Sequence, residues 1–175
     1  MTIIAPRLFA LIIGIDKYKD ITPNLSGAVA DASAMMQFLS TKASAVRTVF
    51  LQNEGATRTA IIEGFEALQK WKEIEKGDPI VVYFAGHGSE ARMQGGEEYT
   101  QMLLPYDASP RTPNVEELPA VAGIPDHLIR DFLNDIAKEK GNNIVRIFTD
   151  FFVLELIFGK DSHIRLLPCW ARHAR

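Results

Sequence analysis

Short apolar runs alternate with amphipathic stretches along the chain. Four runs of strand length, residues 9–15, 47–52, 79–85 and 142–148, are apolar enough for strands that are buried in a sheet. The stretches between them place apolar residues at spacings of three and four, which is the helical period. This alternation predicts an α/β fold with a mostly parallel sheet and helices on both of its faces.

Three helices are predicted in these stretches. Ser26 is available as the N-cap of the first, and Thr57 as the N-cap of the second, which Gly77 would close. Pro125 fits the first turn of the third helix, and Gly141 would end it. The predicted apolar stripes are Ala28, Ala32, Met35, Met36 and Leu39; Ile61, Phe65, Leu68 and either Trp71 or Lys72; and Leu128, Phe132, Leu133 and Ile136.

The pattern changes twice in the second half of the chain. The stretch "EARMQGGEEYTQMLLP" predicts a hairpin that turns at Gly95 and Gly96, and the proline-rich residues 105–123 predict a long loop. Beyond Phe148 the sequence no longer continues the same design. We therefore expect one domain over residues 1–148, followed by an aberrant apolar and basic tail over residues 149–175.

Composition narrows the class of protein. At 175 residues with 47% hydrophobic side chains, the chain is long enough for one domain with a real core. A net charge of −3 argues against nucleic acid or an anionic membrane as a partner. The single cysteine excludes an internal disulfide and is compatible with a reducing compartment. The predicted location is the cytoplasm or the nucleus.

The most apolar run ends on a histidine between two glycines, in "VVYFAGHGSE". His87 would lie at the carboxyl edge of the parallel sheet, where α/β folds bind ligands. Gly86 and Gly88 remove side-chain bulk, so a substrate could approach closely, and the Gly88 amide could donate a hydrogen bond. A general base beside half of an oxyanion hole would have this form. The alternative is a tight turn with a polar tip.

Two carboxylates are predicted near the same edge. Asp16 follows the first strand, and Asp31 lies early in the first helix. Together they are consistent with a substrate pocket for a cationic group. The alternative for each residue is helix capping or exposure to solvent. This alternative is favoured for Asp16, and for Asp31 it stands level with the pocket.

Three segments carry a resemblance to a known family. The stretches "FALIIGIDKYKDITPNLSGAVADASAMMQFL", "DPIVVYFAGHGSE" and "MLLPYDA" resemble the fungal metacaspases, caspase-like cysteine endopeptidases, over roughly residues 7–148. The resemblance implies a caspase-like three-layer sandwich with strand order 2-1-3-4. It implies that His87 is the catalytic histidine and that Asp31 is an acidic residue of the P1 pocket. The implied substrate is a peptide or protein that is cut after Arg or Lys.

The nucleophile of this chemistry is missing from its expected place. A thiolate must attack the peptide carbonyl, and relatives carry Asp-Cys-Cys-His-Ser or a similar stretch after the fourth strand. This chain has "TDFFVLEL" there, with Asp150 one position out of register. Cys169 lies in the tail, where no rigid element would bring it to the imidazole. We therefore expect a caspase-like domain that is truncated before its catalytic cysteine, incomplete on its C-terminal side and inactive.

Other readings stay open. The chain could be a non-catalytic interaction module, a pseudo-protease that associates with caspase-like paralogues. No cofactor is expected. Calcium, which many relatives require, is disfavoured because "QGGEEYTQM" has few aspartates, although Asp107 and Asp126 could supply oxygen ligands. A zinc site is also disfavoured, since no pair of candidate ligands has ligand-like spacing on one element. The zinc candidates are His87, His127, His163 and Cys169.

The tail could partly complete the fold. A sheet of four parallel strands would leave one edge uncovered, and edges of this kind pair with other chains. The apolar run "FFVLELIF", residues 151–158, could cover part of this surface as a strand or a helix. The favoured expectation is a marginally stable chain that aggregates through the uncovered edge.

An unspliced intron would explain the break after the fourth strand. Codons for Val145-Arg146 can read GTACGT, a donor-like sequence, and codons for Thr149-Asp150 can contain the branch-point-like CTGAC. We expect transcript sequencing across codons 140–160 to find a spliced form in which an Asp-Cys stretch follows shortly after Asn143 or Ile144. Transcripts that all read through to Arg175 would contradict this hypothesis.

Overall fold

The described part of the chain contains eight strands and three helices. The computed structural model describes residues 7–20, 23–43, 45–92, 99–109, 121–149 and 153–157. The strands are β1 (Arg7–Gly14), β2 (Ala45–Gln52), β3 (Ile80–Ala85), β4 (Gly88–Arg92), β5 (Tyr99–Leu103), β6 (Ile124–Pro125), β7 (Ile144–Phe148) and β8 (Val153–Ile157). The helices are α1 (Ala28–Ser40), α2 (Arg58–Lys70) and α3 (Asp126–Lys140), with a short 3-10 turn at Asn53–Gly55.

A five-stranded sheet in the order β2-β1-β3-β7-β8 forms the centre. The first four of these strands are parallel, which confirms the predicted order 2-1-3-4. Inner strands of a parallel sheet are covered on both faces and therefore read as continuous apolar runs. All six residues of β3 are buried accordingly, as is all of β1 after Arg7.

Strand β8 covers the far edge of β7. It runs antiparallel to β7, with Val153 opposite Phe148 and Ile157 opposite Ile144. Of the two alternatives for the tail, coverage of the edge by a strand is therefore the one observed. The pairing engages β7 backbone groups that would otherwise form an open edge.

The three-layer arrangement follows from the alternation of side chains along the strands. Leu8, Ala10 and Ile12 of β1 pack in the core under α1, and the residues between them face α2 and α3. Helices therefore lie on both faces, as predicted. No helix in the described ranges is long and apolar enough to cross a membrane.

The antiparallel hairpin is confirmed. Strands β4 and β5 pair, and β6 adds a third strand through Ile124 and Pro125. The predicted turn at Gly95 and Gly96 lies outside the described residues, as does most of the predicted loop 105–123.

The predicted boundaries of α2 and α3 are each wrong at one end. Helix α2 ends at Lys70 rather than at Gly77, because the chain turns at Trp71 and buries Ile74 as part of a loop. The Lys140 ammonium donates a hydrogen bond of 2.9 Å to the Trp71 carbonyl oxygen and so stabilises this turn. Pro125 precedes α3 in β6 instead of lying in its first turn. Gly141 does follow α3, with a φ of 93°, as predicted.

Gly14 marks the closest approach of α1 to the sheet. A Cβ atom there would lie 2.7 Å from the Ala32 Cβ atom and 2.9 Å from the Ala28 carbonyl oxygen. We expect Gly14→Ala to lower the free energy of unfolding by about 1–3 kcal/mol in urea denaturation, because backbone atoms would have to move. Gly55→Ala is the matched control, since a Cβ there meets nothing within 4 Å. Equal effects of the two substitutions would contradict this account.

Candidate active site

His87 lies at the switch point of the sheet. The chain goes from β1 to β2 on one side and then to β3 on the other, so the switch lies between the carboxyl ends of β1 and β3. His87 follows β3 by two residues and precedes β4. His87 therefore lies at the edge of the sheet that its sequence position predicts.

The His87 imidazole makes a hydrogen bond with the main chain and packs against an aromatic ring. Its Nε2 atom lies 2.8 Å from the Pro23 carbonyl oxygen, and its ring centroid lies 4.9 Å from that of Tyr18. A carbonyl oxygen can only accept a hydrogen bond, so Nε2 carries the hydrogen. In the neutral imidazole, Nδ1 is therefore the atom that can accept a proton.

Tyr18 also contacts the backbone of the histidine. Its hydroxyl oxygen accepts a hydrogen bond of 2.6 Å from the His87 amide. A Cβ atom on Gly86 would lie 2.7 Å from this oxygen and 2.8 Å from the Phe84 Cζ atom. The expectation that Gly86 leaves room for a substrate is therefore wrong, because the protein's own side chains fill that space.

The Gly88 amide lies outside the hairpin ladder. The Leu104 amide donates to the His87 carbonyl oxygen at 2.9 Å, and Gly88 is paired with Leu103. Bonded and non-bonded pairs alternate along an antiparallel ladder, so the Gly88–Leu103 pair is of the non-bonded kind. The Gly88 N–H therefore points away from β5, towards the open side of β4, the edge strand of its sheet.

The Asp16 carboxylate caps α1 from the end of β1. Its two oxygens accept hydrogen bonds from the amides of Ala28 at 2.7 Å and Val29 at 3.3 Å. The predicted Ser26 cap is wrong, since the N-cap residue is Gly27 and it makes no side-chain cap bond. Thr57, by contrast, caps α2 as predicted. Both Asp16 oxygens thus have a structural partner, and a contact with substrate stays a prediction.

Asn53 is a site residue that the sequence analysis missed. Its side-chain oxygen accepts hydrogen bonds from the amides of Asp16 at 2.9 Å and Lys17 at 3.0 Å. Asn53 has a φ of 40°, a left-handed conformation that asparagine tolerates. An asparagine directly after an apolar strand was the available signal. Its contacts fix the start of the loop that leads to Pro23.

Asp31 provides an accessible carboxylate on the α1 side of the edge. It lies exposed in the first turn of α1. Burial raises the pKa of Tyr83, and the charge of nearby Asp31 raises it further, while a hydrogen bond with Thr149 acts in the opposite direction. The Asp31 charge therefore lies close enough to Tyr83 of β3 to act on its phenol. A cation could reach this carboxylate from solvent.

The α3 side of the same edge has a different charge. A cavity of about 70 Å³ borders Gly88 there and contains the buried side chain of Arg146, whose guanidinium lies 5.1 Å from the Phe148 ring centroid. The carboxylate in this cavity, Asp126, is paired with Arg130 at 3.0 Å. Both a guanidinium and a carboxylate therefore line this cavity. Asp31, on the α1 side, is an exposed carboxylate.

The metal candidates do not converge in the described ranges, which contain no group of three or more His, Cys, Asp or Glu side chains that could ligate a metal. Asp107 accepts a hydrogen bond of 2.8 Å from the Arg58 amide. His127 lies exposed on α3. His163, Cys169 and Asp150 lie outside the described residues. The expectations about calcium, zinc and Cys169 therefore stay predictions.

The order of the parallel strands and the histidine after β3 place the chain in the class of caspase-like α/β folds. A family model of the caspase domain, peptidase C14, matches residues 7–146. The chain belongs to this family.

Solved structures of other proteins share this fold. Protein GSU0716 from Geobacter sulfurreducens superposes with a TM-score of 0.61 at 17% identity, over 82% of this chain. The match covers 49% of the Geobacter chain, so the present sequence spans about half of its length. At this identity the likeness supports the fold alone. The curated proteins contain no match.

The capping role of Asp16 leads to a stability prediction. Asp16→Ala leaves the first amides of α1 without their acceptor, so we expect the free energy of unfolding to fall by about 1 kcal/mol, and by at most about 2. Asp16→Asn should retain most of the stability, because asparagine also caps well. Ser26→Ala is the control and should have little effect in the same urea titration. A larger loss for Ser26→Ala than for Asp16→Ala would show that the cap is assigned to the wrong residue.

Proposed function

We propose that this edge of the sheet is the peptide site of a metacaspase-like cysteine endopeptidase that is specific for Arg or Lys at P1. The observation that carries the proposal is the bonded imidazole of His87. With Nε2–H donated to Pro23, Nδ1 is the atom that would take the proton from a thiol and pass it to the leaving amine. Membership of the caspase domain family supports this role.

Gly88 would supply one donor of the oxyanion hole. Attack on a peptide carbonyl places negative charge on its oxygen, and preorganised backbone amides stabilise that charge. The support for Gly88 is that its amide adjoins His87 and takes no part in the bonded pairs of the hairpin.

Asp31 would recognise the P1 side chain. Its exposed carboxylate can pair with the guanidinium of Arg or the ammonium of Lys, while the buried Arg146 occupies the opposite face. Asp16 would act through the position of α1, because both of its oxygens already accept bonds from that helix.

The chain as given would bind such peptides without cutting them. Hydrolysis needs a thiolate within reach of the imidazole, and Thr149 is the residue that follows β7. The sequence has one cysteine, Cys169. This observation also favours the second candidate function, an interaction module of the caspase fold that associates with caspase-like paralogues.

Peptides that end in Arg, Lys or norleucine test the proposed specificity by calorimetry. We expect the norleucine peptide to bind up to about fivefold more weakly than the two basic peptides, since an exposed ion pair contributes up to roughly 1 kcal/mol. Asp31→Asn should abolish the preference. Asp131→Asn, which removes an exposed carboxylate on α3, is the matched control and should retain it. Equal binding of the three peptides would refute a basic P1 pocket.

An arginyl reporter peptide and a covalent arginyl probe, applied to the same samples, separate the enzyme from the module. Neither hydrolysis nor labelling is expected. Hydrolysis that disappears in Cys169→Ser would show that the tail provides the nucleophile after all. Absence of labelling together with retained binding of a caspase-like partner would favour the module.

A further inference from the structure

One tyrosine contacts both the main chain and the side chain of the histidine. The Tyr18 hydroxyl oxygen accepts a hydrogen bond of 2.6 Å from the His87 amide. The centroids of the two rings lie 4.9 Å apart, at an interplanar angle of 38°. The two residues are 69 positions apart in the sequence. Tyr18 is therefore placed to control the position of the histidine backbone and the plane of its imidazole together.

Tyr18 is itself rigidly placed. Only 7% of its surface is exposed, and it packs in the core cluster that includes Phe84 and Leu103. Its amide donates to the Asn24 side-chain oxygen at 3.2 Å, and the next amide, of Lys19, donates to the Tyr106 carbonyl oxygen at 3.0 Å. A buried side chain on a backbone that is held by hydrogen bonds orients its neighbour more precisely than an exposed one would.

The tyrosine diverts His87 from the hairpin ladder. In a regular antiparallel bonded pair, the His87 amide would donate to the Leu104 carbonyl oxygen, in return for the bond from the Leu104 amide. Only that second bond is made within the pair, and the His87 amide donates to Tyr18 instead. Gly86 permits this contact, because a Cβ atom there would lie 2.7 Å from the tyrosine hydroxyl.

We propose that Tyr18 is a positioning residue for His87, which turns the histidine out of the ladder so that Nε2–H bonds to Pro23 and Nδ1 stays available as the base. This inference rests on the proposed role of His87 in the peptide site. The positioning can nevertheless be measured without a nucleophile or a substrate. The observable is the distribution of the ring hydrogen between Nε2 and Nδ1.

The test is ring ¹⁵N chemical shifts of protein that contains ¹⁵N-labelled histidine, at a pH where the rings are neutral. His87→Gln assigns the His87 signals among those of the four histidines. We expect the Nε2–H form to dominate in the parent chain. In Tyr18→Phe, the population of the Nδ1–H form relative to Nε2–H should rise about two- to tenfold, the range for the loss of one hydrogen bond.

Two further variants make the result decisive. Tyr106→Phe removes a phenol hydroxyl from a half-buried tyrosine on the same core cluster and should leave the His87 signals unchanged. Gly86→Ala keeps the phenol but displaces its hydroxyl, so it should shift the population in the same direction as Tyr18→Phe. An unchanged population in folded Tyr18→Phe would overturn the inference. Loss of the folded state in both Tyr18→Phe and Gly86→Ala would do so too, because a purely structural role would then account for Tyr18.

The two proposals fail separately. A shifted population in Tyr18→Phe, with no preference of the parent chain for basic peptides, would leave the positioning contact in place and remove the proposed function. An unchanged population, with binding that still depends on Asp31, would remove only the role of Tyr18.

Discussion

Burial of β1 and β3 on both faces is the constraint on which the rest of the molecule depends. Two adjacent strands with no exposed face can lie only in the middle of the sheet, so their carboxyl ends are fixed next to each other. The hydrogen-bond ladder continues past the strand ends. The Ile15 amide donates to the Ala85 carbonyl oxygen at 2.9 Å, and the Thr149 amide donates to the Phe84 carbonyl oxygen at 2.9 Å. The loops that carry the site therefore start from a rigid edge.

The loop after β1 connects the two halves of the candidate site. Asp16 caps α1, which carries Asp31, and the Asp16 carbonyl oxygen accepts a bond of 2.7 Å from the Leu25 amide. Between those points the loop presents Tyr18 and Pro23 to His87. The proposed base and the proposed specificity carboxylate thus depend on one short segment. A change in this loop would affect both at once, although they lie on different elements.

The features that could be predicted from the sequence are local or repetitive. The strands and helices follow from periodicity, and the Thr57 cap follows from a contact with Ala60, three residues away. The Asp16 cap and the Asn53 contacts could not be predicted in this way, because they join residues that meet only after the sheet has formed. The true end of α2 was missed for a related reason: Ile74 keeps the helical period but is buried through a turn that Lys140 completes from another helix.

The histidine half of the site is independent of the segment after β7. Among the described residues, His87 contacts Tyr18, Pro23 and Leu104, and all three precede α3. The imidazole can therefore take its orientation before any nucleophile is provided. Residues after Phe148 do contribute to the sheet, since β8 pairs with the whole of β7. On the proposed roles of His87, Gly88 and Asp31, a peptidase and a binding module of this fold would differ in the residue that follows β7, because these three residues all precede that strand.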